Sequence, residues 1–384
     1  ISPTISPLFL PSSSSGILDS SNLSSTSPLY PYPPISTLYQ PTIFLSQTKS
    51  SSNISPSPSL PLTLTPSPSS VSFRTLAIDY LSTNFPTLWD SHLSNLLPNL
   101  TPSDELDARQ IREMSKSSVL PSTYSKFSLH SPRFYSDQKD NTFYTRKSLR
   151  SNLMGGLGLV DIDLQNCHAY IALALWGDRL PLLKDLLDQG TLWDYYKSYF
   201  EESNFPFHKG LVKAFHHATF LCGGKRALYK ACHNHNNHLK KGEKLSKEEQ
   251  TKLIKHFQNS KVCKELKGLQ RELCKEWDGK LVECPTGEVF KAKATNWAFK
   301  AKTGIDDGNF PTVLSAVLQS WEVELMSYVL LKCRDSFQVL LWQHDGITID
   351  PYKDNTVELM QEAVNEFCDE RLNGVRLKLT QEKL

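Results

Sequence analysis

Two aspartates stand where a chain can do phosphoryl chemistry. Asp163 closes the apolar run Leu157-Gly-Leu-Val-Asp-Ile-Asp163, and Asp345 lies in the turn of Val339-Leu-Leu-Trp-Gln-His-Asp-Gly-Ile-Thr-Ile349. A carboxylate at the end of a buried strand is costly to desolvate unless a cation or a donor compensates it. Two of them side by side make a seat for paired Mg²⁺, which activates an attacking hydroxyl and stabilises the leaving oxygens of a phosphoryl transfer. Any one aspartate of this kind more often simply ends a strand, so the flanking residues decide. Lys209, Lys213 and His217 recur at four-residue spacing, which puts two cations and a flat ring on one helix face. Such a face suits a triphosphate and a base, and equally a solvated basic surface.

The elements that would position these residues are legible in the pattern. Leu157–Asp163 has the apolar density of a buried strand, and Cys167–Trp176 continues as an apolar helix. Thr101-Pro-Ser-Asp-Glu105 predicts a capped helix running to about Lys116. Residues 190–230 read as helices with basic faces, and 246–276 as a strongly charged helix pair. A Pro-Thr-Gly turn between Asp278 and Lys293 predicts a hairpin. Thr312–Lys332 is a long, mostly apolar helix, and Phe337–Asp350 reads as strand, tight turn at His344-Asp-Gly, strand. No internal repeat is present.

Composition sets the bounds. The chain has 384 residues, a length for two to three domains at roughly 150 residues each. Residues 1–70 hold 22 Ser and 13 Pro but only two charged residues, Asp19 and Lys49, which predicts a disordered tail. Residues 71–384 have ordinary globular composition and enough length for a core. No run approaches the roughly 18 apolar residues of a membrane span, so no membrane association is expected. The eight Cys are scattered without a Cys-x-x-Cys pair, which argues against a disulfide scaffold or zinc ribbon and fits an intracellular, reducing compartment. The net charge of +2 neither demands nor excludes a nucleic-acid partner. Cys232-His-Asn-His-Asn-Asn-His238 offers metal ligands, but so tightly bunched that a polar, nucleic-acid-contacting loop is the favoured reading over zinc. Lys225, Arg226, Lys230, Lys240, Lys241 and Lys244 add positive charge beside it.

The flanks of the two aspartates carry a resemblance. Asp163-Leu-Gln-Asn-Cys-His-Ala-Tyr-Ile-Ala-Leu-Ala-Leu-Trp-Gly-Asp178 resembles the first palm motif of family-A (DNA polymerase I-like) DNA polymerases, D-Y-S-Q-I-E-L-R-x-x-A-H-L-S-G-D. His344-Asp345 resembles the third motif, V-H-D-E. Lys209-Gly-Leu-Val-Lys213-Ala-Phe-His-His217, followed by Gly223-Gly224, is similar to the middle motif, R-x₃-K-x₃-F/Y-G-x₂-Y-G. Arg133-Phe-Tyr-Ser and Arg146-Lys-Ser-Leu-Arg150 precede the first motif as arginine segments do in relatives. Asp278–Glu288 resembles a family hairpin, Pro311–Met326 with Gln319 resembles a helix beside the primer–template, and Leu372–Lys383 resembles the last palm strand. The resemblance spans roughly 130–384.

It implies an α+β fold: a right-hand polymerase core with an antiparallel palm sheet and helical fingers. Residues 1–70 would be the tail, 71–150 a helical or irregular reduced thumb or lead-in, and 151–384 the palm, with fingers inserted at about 185–300. It implies a template-directed DNA polymerase, a nucleotidyltransferase, with two Mg²⁺ ions on Asp163 and Asp345. Lys209 and Lys213 would hold the triphosphate of a dNTP, with His217 or Phe220 stacking on the base and His168 beside the sugar. Arg133, Arg150, Gln319 and His344 would contact the DNA primer–template.

The departures are specific. The family's Glu beneath the sugar is His168, the carboxylate after the third-motif Asp is Gly346, and Cys222-Gly223-Gly224 sits one position out of register. An imidazole blocks a 2′-hydroxyl by size, yet it can donate a hydrogen bond to it, so relaxed sugar discrimination is expected. A phage-type single-subunit RNA polymerase and a catalytically degenerate nucleic-acid-binding replication accessory stay open as alternatives.

Overall fold

The protein is described by a computed structural model over residues 73–83, 97–101, 105–116, 133, 147–155, 158–221, 224–237, 239, 241–276, 282–283, 289–290 and 310–384. The chain divides into two units, residues 1–47 and 48–384, and everything below belongs to the second. The Ser/Pro segment expected over 1–70, Cys222, Gly223, His238 and the turn residues 284–288 lie outside the described residues.

Helices lead into the sheet: α1 (Phe73–Thr83), α2 (Glu105–Lys116) and α3 (Lys147–Met154). Strand β1 (Val160–Leu164) follows, and the apolar helix α4 (Cys167–Trp176) leaves it. A helical body comes next: α5 (Pro181–Asp188), α6 (Leu192–Glu202), α7 (Lys209–Phe220), α8 (Lys225–Asn237), α9 (Lys247–Asn259) and α10 (Lys261–Glu276). After a short antiparallel pair, β2 (Val282–Glu283) and β3 (Val289–Phe290), the chain runs through α11 (Phe310–Cys333). It closes with β4 (Phe337–Gln343), β5 (Gly346–Pro351), α12 (Thr356–Arg371) and β6 (Leu379–Lys383).

The central sheet is antiparallel throughout, in the order β4-β5-β1-β6. Alternation drives β1: Val160, Ile162 and Leu164 are buried while Asp161 and Asp163 turn the other way. The strand begins at Val160, three residues later than its apolar run, because Gly158 takes a left-handed φ of 75° just before it. Helix α11 is buried on every side from Trp321 to Leu331, which is why its sequence is apolar all round instead of amphipathic. Met360, Ala363, Val364 and Phe367 give α12 its buried stripe, and Phe73, Ala77 and Leu81 give α1 its own. The rings of Phe73 and Tyr328 meet edge-on at 5.3 Å.

The helical body has an aromatic core. Tyr196 and Phe215 both pack on Phe257, with ring centroids 5.7 and 5.3 Å away. Helix α9 starts at a capping box, Ser246 accepting from the Glu249 N–H and Glu249 accepting from the Ser246 N–H. Helix α5 starts with Pro181 at its first position. Its next two N–H groups, of Leu182 and Leu183, each donate to the Glu265 carboxylate of α10 at 2.9 Å. A carboxylate from one helix thus satisfies the open N-terminus of another and complements its dipole. Among the described residues, no helix is long and apolar enough to cross a membrane.

Candidate active site

The register of the sheet brings the two aspartates to one end of neighbouring strands. Asp163 lies between Gly346 of β5 and Thr380 of β6. The next residue, Leu164, donates its N–H to the Asp345 carbonyl at 3.0 Å, so Asp345 is a diagonal neighbour of Asp163. The turn joining β4 to β5 holds only His344 and Asp345, since Gln343 pairs with Gly346. His344 has φ of 61° and Asp345 does not share the positive sign, the pattern of a type II′ turn. Trp342 Nε1 donates to the His344 carbonyl at 2.8 Å and ties the turn to its own strand.

Gly346 explains its own identity. A Cβ there would lie 3.2 Å from Asp163 Oδ1 and 3.2 Å from the Ile162 carbonyl. Any side chain at this position would crowd the Asp163 carboxylate where it crosses towards the turn. Asp163 is exposed, whereas Asp345 is half-buried. Burial, with Glu322 adding to it, raises the Asp345 carboxyl above its ordinary value against the pull of His168 and Arg133. Cys167, at the start of α4, is buried and has its thiol pushed well up by burial. Glu322, Asp345 and Asp163 all add to that push.

Beside the aspartates sits a buried ionic cluster. Arg133 forks onto Glu322 of α11, Nε to Oε1 at 2.7 Å and Nη2 to Oε2 at 2.6 Å. His168 Nε2 lies 2.9 Å from the same Oε2 and 3.3 Å from Arg133 Nη2. Glu322 is 0% exposed, His168 4% and Arg133 7%, so the charges compensate one another away from water. Burial alone would lift the Glu322 carboxyl; Arg133 and His168 outweigh it and hold it well below the usual carboxylate range. The His217 ring of α7 stands 5.1 Å from that of His168. His217 keeps solvent access but is crowded by protein; this burial, with the charges of His168 and Arg133, pushes its pKa down to about 4. His344 is pushed down to about 4 by burial and then by Arg133. Both rings are therefore neutral at physiological pH.

Other residues singled out by sequence lie on α3, α7, α8 and α11. Lys209, Lys213 and His217 are all exposed on α7, as four-residue spacing demands. Phe220 is buried against His216, rings 4.8 Å apart, so of His217 and Phe220 it is His217 that faces outward. Gln319 shares an α11 face with Ser315 and Glu322 and donates from Nε2 to Ser315 Oγ at 3.2 Å. Arg150 lies on α3, with its side chain outside the described residues. The expected loop at Cys232–His238 is instead helical through Asn237, because Leu228 and Cys232, four apart, share a buried stripe. Consecutive residues on a helix diverge: Cys232 is buried and His233 exposed. Among the described residues, no group of three His, Cys, Asp or Glu is arranged to hold a metal ion.

Glu322 was not anticipated from sequence. Its signal was there: Trp321-Glu-Val-Glu324 places two carboxylates in a helix whose every face is apolar, and a buried carboxylate needs a partner.

Asp163 and Asp345 suit Mg²⁺ by the chemistry of their donors. It is a hard cation that takes oxygen ligands, commonly one or two carboxylates with water and substrate phosphates completing the shell. The raised carboxyl of Asp345 reports a desolvation cost that a cation would relieve.

No protein-family model and no curated protein matches this sequence. Among solved structures the chain is similar to the POL domain of Pol1 from M. smegmatis, in complex with DNA primer-template and dNTP, at a TM-score of 0.52 and 13% identity. The likeness covers 72% of this chain and 51% of that one, so this chain spans about half its neighbour's length. The fold is polymerase-like, a helix-rich chain with a four-stranded antiparallel sheet.

Proposed function

We propose that this chain is a template-directed DNA polymerase of the family-A kind, adding a deoxynucleotide to a primer 3′-hydroxyl. One observation carries the reading: Asp163 and Asp345 meet at one end of adjacent antiparallel strands, walled by the Arg133–Glu322–His168 cluster, in a polymerase-like fold. Asp163 and Asp345 would hold two Mg²⁺ ions. When bound, these supply a lowered pKa for the attacking hydroxyl and charge neutralisation on the leaving pyrophosphate.

The chain's own residues do the positioning. Lys209 and Lys213, exposed one turn apart on α7, bind the triphosphate as paired cations, and the neutral ring of His217 stacks on the incoming base. His344, held in the tight turn, and Gln319, on the α11 face that also bears Glu322, orient the primer terminus and its minor groove. Arg150 serves the primer–template side, whereas Arg133, 7% exposed and forked onto Glu322, supports the site from within. Fixing both reactants converts a bimolecular encounter into an oriented reaction.

The test is primer extension on a DNA template with Mg²⁺ and dNTPs, for wild type, Asp163→Asn and Asp345→Asn. Wild type extends the primer, and each variant, folded to the same melting temperature within a few degrees, loses extension by at least about a thousandfold. Extension with rNTPs alone would assign the chain to the RNA-polymerase alternative. Binding of primer–template without extension by either pool would assign it to the non-enzymatic one.

A further inference from the structure

The buried ionic cluster does more than hold elements together. Glu322 is fully enclosed and has both oxygens engaged: Oε1 by Arg133, Oε2 by Arg133 and His168. Its two partners come from separate parts of the chain, the segment at residue 133 and α4. Through His168 the contact reaches His217, whose ring is 5.1 Å beyond, and His217 shares the α7 face of Lys209 and Lys213. One carboxylate therefore ties the segment at residue 133 to α4 directly, and reaches α7 through the His168 ring.

The chemistry of His168 depends on that carboxylate. An imidazole N–H that donates to a fixed acceptor holds the ring in one orientation. A carboxylate 2.9 Å from Nε2 accepts only, so Nε2 carries the proton and donates. The ring is thereby pinned in orientation.

We propose that Glu322 is the positioning residue of the nucleotide site: it pins His168 and Arg133 so that His168 forms a rigid wall against the sugar of the incoming nucleotide. The inference rests on the polymerase reading and deepens it. Where the first motif carries His168 in place of a Glu, a carboxylate reaches the same spot from α11. Glu322 acts through His168, not on the substrate itself.

Exchanging the two side chains supplies the experiment. Glu322→Gln keeps shape and weakens the charge-assisted contacts. His168→Glu brings two carboxylates face to face, and the double variant His168→Glu/Glu322→His restores an opposite pair with the sides reversed. Steady-state extension is measured with dNTP and rNTP pools, alongside primer–template affinity. Glu322→Gln is expected to raise KM for dNTP about tenfold, to change the dNTP/rNTP ratio of kcat/KM, and to leave primer–template Kd within about twofold. The double variant is expected to recover at least about tenfold of the kcat/KM lost by His168→Glu.

Either of two outcomes overturns the inference while leaving the polymerase reading intact. In one, Glu322→Gln lowers active enzyme without moving KM or the sugar ratio. In the other, the double variant is no better than His168→Glu. Absence of extension by wild type overturns the polymerase reading instead. Nitrogen-15 NMR on histidine-labelled protein gives a readout independent of activity: His168 holds its Nε2 proton in wild type, and Glu322→Gln shifts that resonance. An unmoved signal counts against the inference.

Discussion

Removing the Arg133 guanidinium alone should be far more damaging than removing the whole pair. In Arg133→Met, the Glu322 carboxylate stays 0% exposed with His168 as its sole remaining partner of the two, and two charge-assisted bonds of 2.6 and 2.7 Å are lost. Breaking one side of a buried ion pair costs about 3–5 kcal/mol, whereas replacing both sides by apolar groups of similar volume is close to neutral. Arg133→Met should therefore lose about 3–5 kcal/mol at pH 8, a melting-temperature drop of roughly 6 °C or more for a domain of this size. Arg133→Met/Glu322→Leu should recover most of it. The pH dependence follows from the depressed Glu322 carboxyl. A carboxyl lower in the folded than in the unfolded state contributes stability above the unfolded value of 4.5, and that contribution fades as pH falls towards the folded value. The gap between wild type and Arg133→Met is thus full at pH 8 and narrows below about pH 5. Urea unfolding followed by tryptophan fluorescence measures all three proteins at both pH values. A single variant within about 1 kcal/mol of wild type, or a double variant as unstable as the single, would refute a strongly coupled buried pair.

Three further outcomes are expected. Lys213→Ala should lower kcat/KM for dNTP about a hundredfold, the loss of a contact of roughly 3 kcal/mol in the transition state; primer–template affinity falling equally would make Lys213 a backbone contact instead. Gly346→Ala inserts a methyl 3.2 Å from Asp163 Oδ1, and should cut extension about tenfold to a hundredfold with little change in melting temperature, since small displacements of reacting groups are costly. His216 is buried, shares a 2.8 Å hydrogen bond with the Tyr196 hydroxyl and has its pKa pushed down to about 3, mainly by burial. A histidine lowered on folding leaves the unfolded state binding more protons below 6.5, so stability falls with acidification by about 2 kcal/mol between pH 7.5 and 5. His216→Phe should flatten that slope in urea unfolding; an unchanged slope would place the acid sensitivity elsewhere.

The sequence by itself determined the local elements. Val160, Ile162 and Leu164 alternate with two aspartates and make a half-buried strand. The four-residue recurrence of Lys209, Lys213 and His217 makes one helix face, and the short polar break between Gln343 and Gly346 makes a tight hairpin. These follow from periods of 2 and 3.6 and from turn chemistry, which are properties of neighbouring residues. The motif resemblance likewise singles out Asp163 and Asp345 from sequence alone. Only the tertiary structure decided the rest. It placed Asp345 diagonal to Asp163, turned Phe220 inward and His217 outward, and kept Cys232–Asn237 helical. Above all it brought Glu322 against Arg133, 189 positions away, and against His168. Periodicity tells which face of an element is buried. It carries no information about which distant charge will compensate a buried one, because that is set by the packing of helices against the sheet and paid in desolvation at long range.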